Sequence, residues 1–274
     1  MDVAKYRKRY EAKLAKAATS AEKSAGAPLG EQNLEEQVAD LLVALQNRDE
    51  PVASRTAALE ALAALDFLGP RFAPFRARYK EALRDVATDQ RRELRAQALE
   101  LLAIDRDPYA QELLVQGLQE PKNALVPEAK AIQLLGYDDH AEVVPLVREV
   151  YERATGAARE EALRVLATDP ESEQLFTRLL KDKSEKRSIR QLSASGLQSL
   201  NPEAFNETAH KIVADEDDYN DIRATALAAL THGREARETP FDLKLVETVQ
   251  KVGESTRSQS IRSAARRFLQ STEQ

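Results

Sequence analysis

The sequence predicts an all-α protein, an α-solenoid in which about seven two-helix units stack on one another. One phrase recurs along the chain, as "SRTAALEAL" from Ser54, "LRAQALELL" from Leu94 and "IRATALAAL" from Ile222. Within each copy the apolar positions follow the arginine at offsets of 3, 4 and 7, which is one stripe of an α-helix. Composition agrees: with 9 Gly in the chain, hairpin turns are scarce, and with 5% aromatics and no Trp the core must be Ala, Leu, Val and Ile. Small aliphatic side chains suit helices packed closely on helices.

The template is R-x-x-A-L-x-x-L. Arg55 precedes Ala58, Leu59 and Leu62; Arg95 precedes Ala98, Leu99 and Leu102; Arg159 precedes Ala162, Leu163 and Leu166; Arg223 precedes Ala226, Leu227 and Leu230. Weaker copies start at Arg190 and Arg262, the latter interrupted by Arg266, and one copy carries Glu128 in the arginine slot. The anchors lie 31 to 40 residues apart. That is room for two helices and two short turns, each hairpin having an apolar stripe that only a neighbour can cover.

The companion helices lie between the anchors. They are expected from Leu34, over Phe72–Ala87, and from Pro108, Ala141, Glu171, Pro202 and Pro240. Three of them follow Asp107–Pro108, Asp169–Pro170 and Asn201–Pro202. An Asp or Asn cap followed by Pro at the first helical position is a sound helix start, because Pro lacks the N–H that would go unbonded there.

On the R-x-x-A-L-x-x-L helices, the "AEVVPLVREV" helix and the acids before several second helices, the chain resembles the HEAT-repeat family, including its bacterial HEAT-like type, over residues 34 to 270 or so. The resemblance implies a right-handed superhelix with first helices convex and second helices concave. It also implies an Asp–Arg ladder tying the units together. The chain then divides into a basic amphipathic segment 1–24, a linker 25–33 and a repeat domain 34–274, with Glu128, Arg266 and the long terminal intervals as departures.

The arginines Arg55, Arg95, Arg159, Arg190, Arg223 and Arg262 admit two readings: a row of cations for an acidic partner, or a structural ladder. A cation in the first turn of a helix faces an unfavourable dipole, so a compensating acid is expected. Asp89 beside Arg95 and Asp221 beside Arg223 are the candidates, and the structural ladder is the reading taken.

In the N-terminal segment Lys5, Arg7, Lys8, Arg9 and Lys13 surround a narrow stripe of Val3, Tyr6, Tyr10 and Leu14. It is read first as a cap on the first repeat, next as an arm for an acidic partner, and last as a membrane or nucleic-acid anchor.

Chemistry is sparse. There is no Cys, hence no disulfide, thiol nucleophile or thiolate metal site. His140, His210 and His232 share no metal-ligand spacing, and the acidic "DEDDYND" from Asp215 lacks the Gly and closing Glu of an EF-hand. It is read first as a solvated turn, with attraction to the basic "KDKSEKRS" turn before it weighed equally with ligand binding. No phosphate loop or nucleophile elbow occurs, so no enzymatic activity, cofactor or metal is expected.

A net charge of -6 argues against a general nucleic-acid binder, and no apolar run reaches the ~20 residues of a membrane span. A cytoplasmic location is expected. Outward positions on the second helices, Glu60, Gln97, Glu100, Lys130, Gln133, Glu161 and Arg164, form a polar strip of mixed sign. The expected function is a non-enzymatic scaffold that binds a protein partner through that strip or the inter-helix turns. Two alternatives are a chromophore-handling protein similar to HEAT-like bilin lyases, and nucleic-acid binding through the basic arm.

Overall fold

The computed structural model describes residues 31–138, 143–235 and 243–271. Among them the regular elements are fourteen α-helices and four short 3-10 turns. The segment 1–24, His140 and the start of the helix expected from Pro240 lie outside the described residues. The chain forms two compact units, residues 1–146 and 147–274.

The first unit holds α1 (Glu31–Gln46), α2 (Val52–Asp66), α3 (Arg76–Val86), α4 (Arg92–Ile104), α5 (Pro108–Gln119) and α6 (Glu128–Leu135). Consecutive helices pair as α1–α2, α3–α4 and α5–α6, while α1 also packs on α3, α2 on α4 and α4 on α6. First helices therefore lie beside first helices and second beside second. The template explains this: Ala58, Leu59 and Leu62, Ala98, Leu99 and Leu102, and Ala131, Ile132 and Leu135 are all buried. Each buried Leu contributes about 1.5–3 kcal/mol, and each Ala lets the adjacent helix approach.

The boundary falls inside α7 (Val144–Arg153), and the second unit holds the rest of that helix with α8 (Gly156–Leu166), α9 (Glu173–Lys181), α10 (Arg187–Leu200), α11 (Pro202–Ala214), α12 (Asn220–Glu235), α13 (Leu243–Ser255) and α14 (Gln259–Gln270). Here α8 packs on α10, α10 on α12 and α12 on α14, with α9 on α11 and α11 on α13 alongside. In α14 the stripe slips: Ile261, Ala265 and Phe268 are buried, while Arg266 faces solvent.

The caps act as the Asp-Pro and Asn-Pro pairs predict. The Asp107 carboxylate accepts the Tyr109 backbone N–H, and the Asn201 side chain accepts those of Glu203 and Ala204. Asp169 accepts the Glu171 N–H and opens a 3-10 turn, Pro170–Ser172, ahead of α9. The helix expected from Phe72 starts only at Arg76, after 3-10 turns at Gly69–Arg71 and Ala73–Phe75. Pro74 removes a donor and disfavours helical backbone at Ala73. His232, expected in a loop, lies within α12.

Tight packing is sharpest at Gly196 on α10. A Cβ built there would lie 2.8 Å from Cε1 of Phe176, whose ring is fully buried on α9. Overpacking of this kind costs ~1–3 kcal/mol, against up to ~1 kcal/mol gained in helix propensity. Gly196→Ala is therefore expected to lower the thermal midpoint of the second unit; an unchanged or higher midpoint would mean that the ring can retreat.

Candidate functional site

The turns within the hairpins share one construction. In the five-residue turns 47–51, 182–186 and 215–219, the first residue's side chain accepts the N–H two residues on: Asp49 to Asn47 at 3.1 Å, Ser184 to Asp182 at 2.9 Å, Asp217 to Asp215 at 3.1 Å. Such Asx turns reverse the chain locally. Each turn delivers an arginine at the same place in the next helix. Nε of Arg55, Arg190 and Arg223 donates to the carbonyl ten residues earlier, on Leu45 (2.8 Å), Leu180 (3.0 Å) and Val213 (3.2 Å). The guanidinium thus satisfies the end of the first helix, a group that otherwise stays unbonded.

The other nitrogens reach the following hairpin. Arg55 Nη2 meets Asp89 at 2.7 Å, with the two side chains 3% and 5% exposed. Arg190 grips Asp218 with both Nη atoms, at 2.6 and 2.7 Å, with exposures of 1% and 2%. Such a bidentate pair is strong and directional. Where no acid of the next turn reaches the arginine, carbonyls stand in: Arg95 donates to Leu125 O at 2.6 Å and to Asp89 O at 2.8 Å. Arg223 spends Nη2 as well on Val213 O, and Arg262 donates to Thr256 O.

The partners differ from those the sequence singled out. The Asp89 carboxylate serves Arg55 rather than Arg95, and Asp221 lies 3.7 Å from Arg187 rather than on Arg223. The acid belongs to the turn before the next arginine: Glu185 and Asp218 lie five residues ahead of Arg190 and Arg223, and Asp89 six ahead of Arg95. That acid-to-arginine spacing is the sequence signal the offsets within the helix left unread. A second set of cross-links uses the caps, Arg84 to Asp107 at 2.8 Å and Arg148 to Asp169.

Oppositely charged turns do attract. Lys183 meets Asp215 at 2.5 Å, and the Arg187 guanidinium sits 3.9 Å from the Tyr219 ring centroid. Among the described residues no group of three or more acids and histidines is placed to hold a metal, and no helix is long and apolar enough to cross a membrane.

Two turns of the second unit are shorter than five residues, 256–258 and 154–155. Only Ala154 and Thr155 join α7 to α8, and Gly156 reverses the chain at φ 60, a conformation open to glycine. With three residues missing, Arg159 finds no carbonyl ten residues back. It donates instead to the Tyr151 hydroxyl at 3.0 Å, over whose ring it lies, and to Glu185 at 2.6 and 3.2 Å. The Glu185 hydrogen bonds push the Arg159 guanidinium further above its already high pKa. At 28% and 16% exposed, this rung is more open than the two buried ones.

A cleft of about 490 Å³ opens there. Its buried lining is Tyr151, Ala154, Leu179 and Ile189; its exposed lining includes Glu152, Arg178, Asp182 and Lys186. Asp182 is engaged by Ser184, which holds its carboxyl below the usual range, and Glu160 accepts the Ser188 hydroxyl. The side chains of Arg178 and Lys186 make no hydrogen bond or ion pair among the described residues.

The polar strip is more self-paired than its sequence conveys. Lys130 bridges to Glu100 at 3.2 Å and donates to Gln133, and Arg164 pairs with Glu161 within α8. Gln97 is half-buried and Glu60 exposed.

No family model and no curated protein matches the chain. Among solved structures, human deoxyhypusine hydroxylase in complex with glycerol aligns with 90% of this chain and 99% of its own length, at a TM-score of 0.39 and 14% identity. The expectation of a non-enzymatic scaffold is corrected on that finding: the similar protein is an enzyme, so the exclusion of enzymatic activity is withdrawn and no scaffold role is assigned. At this TM-score no activity is carried across to this chain.

The buried rungs make two measurable statements. Removing one partner strands a buried charge at ~3–5 kcal/mol, so Arg190→Ala should sharply lower urea resistance while Arg262→Ala, exposed and lacking an acid, changes it little. Equal effects would mean the rungs carry no special weight. Burial alone raises the carboxyls of Asp89 and Asp218, but hydrogen bonds and the charges of Arg55 and Arg190 bring both below their usual value. The unfolded chain then takes up protons first as pH falls through ~3.9. Stability from these groups is full above that pH and lost as pH drops through the native values. An acid-unfolding midpoint unmoved by Asp218→Asn would contradict this.

Proposed function

We propose that the helical pairs are HEAT-like repeats, three in the first unit and four in the second, coiled in the right-handed sense that the resemblance implies, and that the α7–α10 cleft binds a small polar ligand bearing a carboxylate or phosphate. The cleft at the two-residue turn carries the functional reading. Tyr151, Ala154, Leu179 and Ile189 form its buried floor, and charged groups line its mouth. Arg178 and Lys186 offer exposed cations in a lining that also holds Glu152 and Asp182. The half-open Arg159–Glu185 pair, held against Tyr151, supplies a fixed polar surface that needs no reorganisation on binding. The repeat reading is supported by the neighbour-but-one packing within each unit and by the arginine rungs.

Thermal unfolding in increasing citrate, glutamate and inorganic phosphate tests the binding reading, because a ligand bound only by the native state raises the midpoint with concentration. The wild type should shift and the double variant Arg178→Glu/Lys186→Glu should not. Identical shifts in both would place the anion effect elsewhere and remove the cleft from consideration.

A further inference from the structure

The rungs have a direction: an arginine near the start of a second helix reaches the acid in the next turn. Glu50 occupies the acid's position in the α1–α2 turn, five residues before Arg55, as Glu185 precedes Arg190 and Asp218 precedes Arg223. Yet Glu50 is exposed and its carboxylate has no partner among the described residues. The rest of this hairpin is acidic too. Residues 31–66 hold eight acidic side chains against two basic ones, with Glu35, Glu36, Asp40, Asp49 and Glu60 in solvent and Val43 68% exposed.

The chain preceding α1 has the complementary character. Residues 1–24 carry seven basic and three acidic side chains around Val3, Tyr6, Tyr10 and Leu14. Arg7 stands three residues before Tyr10 and seven before Leu14, as Arg55 stands to Ala58 and Leu62. Dimensions agree. A helix from residue 7 to residue 24 would be about 27 Å long and α1 is about 24 Å. A second-type helix ending near Glu31 would run antiparallel to α1 and bring Arg7 to the edge where the α1–α2 turn lies.

We propose that residues 1–24 dock as a helix on the α1–α2 hairpin, with Arg7 on Glu50 forming the first rung of the ladder. Tethering through six residues, 25–30, gives this segment a high local concentration that a separate chain lacks. A solenoid hairpin has an apolar flank that a neighbouring layer covers.

The test is a charge exchange in the full-length chain, read by hydrogen exchange of peptides from α1 and α2. Glu50→Arg and Arg7→Glu should each speed exchange of residues 31–46 roughly fivefold, and the double variant should restore it. Deleting residues 1–24 should speed it by more than about tenfold. No effect of the deletion, or a double variant no better than the singles, overturns the proposal. So does a concentration-dependent association of the wild type that Glu50→Arg abolishes, which would assign Glu50 to a second copy of the chain.

Discussion

A guanidinium buried near the start of a helix constrains the rest of this protein. The helix dipole opposes it, and burial strips its water, so all of its donors must be met. Arg55 and Arg190 meet them in two directions at once, taking a carbonyl from the end of the preceding helix and a carboxylate from the following turn. One side chain therefore sets both the geometry within a hairpin and the register between hairpins. Apolar stripes alone would allow neighbouring helices to slide; the planar, forked hydrogen bonds of Arg190 on Asp218 do not.

That constraint fixes the turn length. With five residues, as in 182–186 and 215–219, the carbonyl ten back falls within reach of the arginine, and the acid five back is left to the arginine of the preceding hairpin. Shorten the turn to Ala154–Thr155 and both slots fail: the carbonyl is displaced, and Ala154 stands where the acid would be. Arg159 survives by borrowing the Tyr151 hydroxyl, and the space that a longer turn would fill is the cleft. The candidate site is thus a local exception to the rule that organises its neighbours.

The two units are laddered internally by different means, the first by Arg55–Asp89 and a carbonyl rung at Leu125, the second by Arg159–Glu185 and Arg190–Asp218.

The helices were legible in the sequence because their cause is local. Offsets of 3, 4 and 7 define a stripe wherever they occur, and Asp107 and Asn201 cap helices through atoms two or three residues away. Where local rules compete, the reading slipped: Pro74 delayed α3, and Phe268 replaced Leu269 in the stripe of α14. The cross-hairpin partners and the cleft were not legible, because nothing near Arg55 states that Asp89, 34 residues on, will fold against it. The amino-acid order by itself determined an all-helical chain with repeated apolar faces and arginines that require acids. Only tertiary packing decided which acid each arginine receives and where a shortened turn leaves space, since both depend on distances between helices that no single helix encodes.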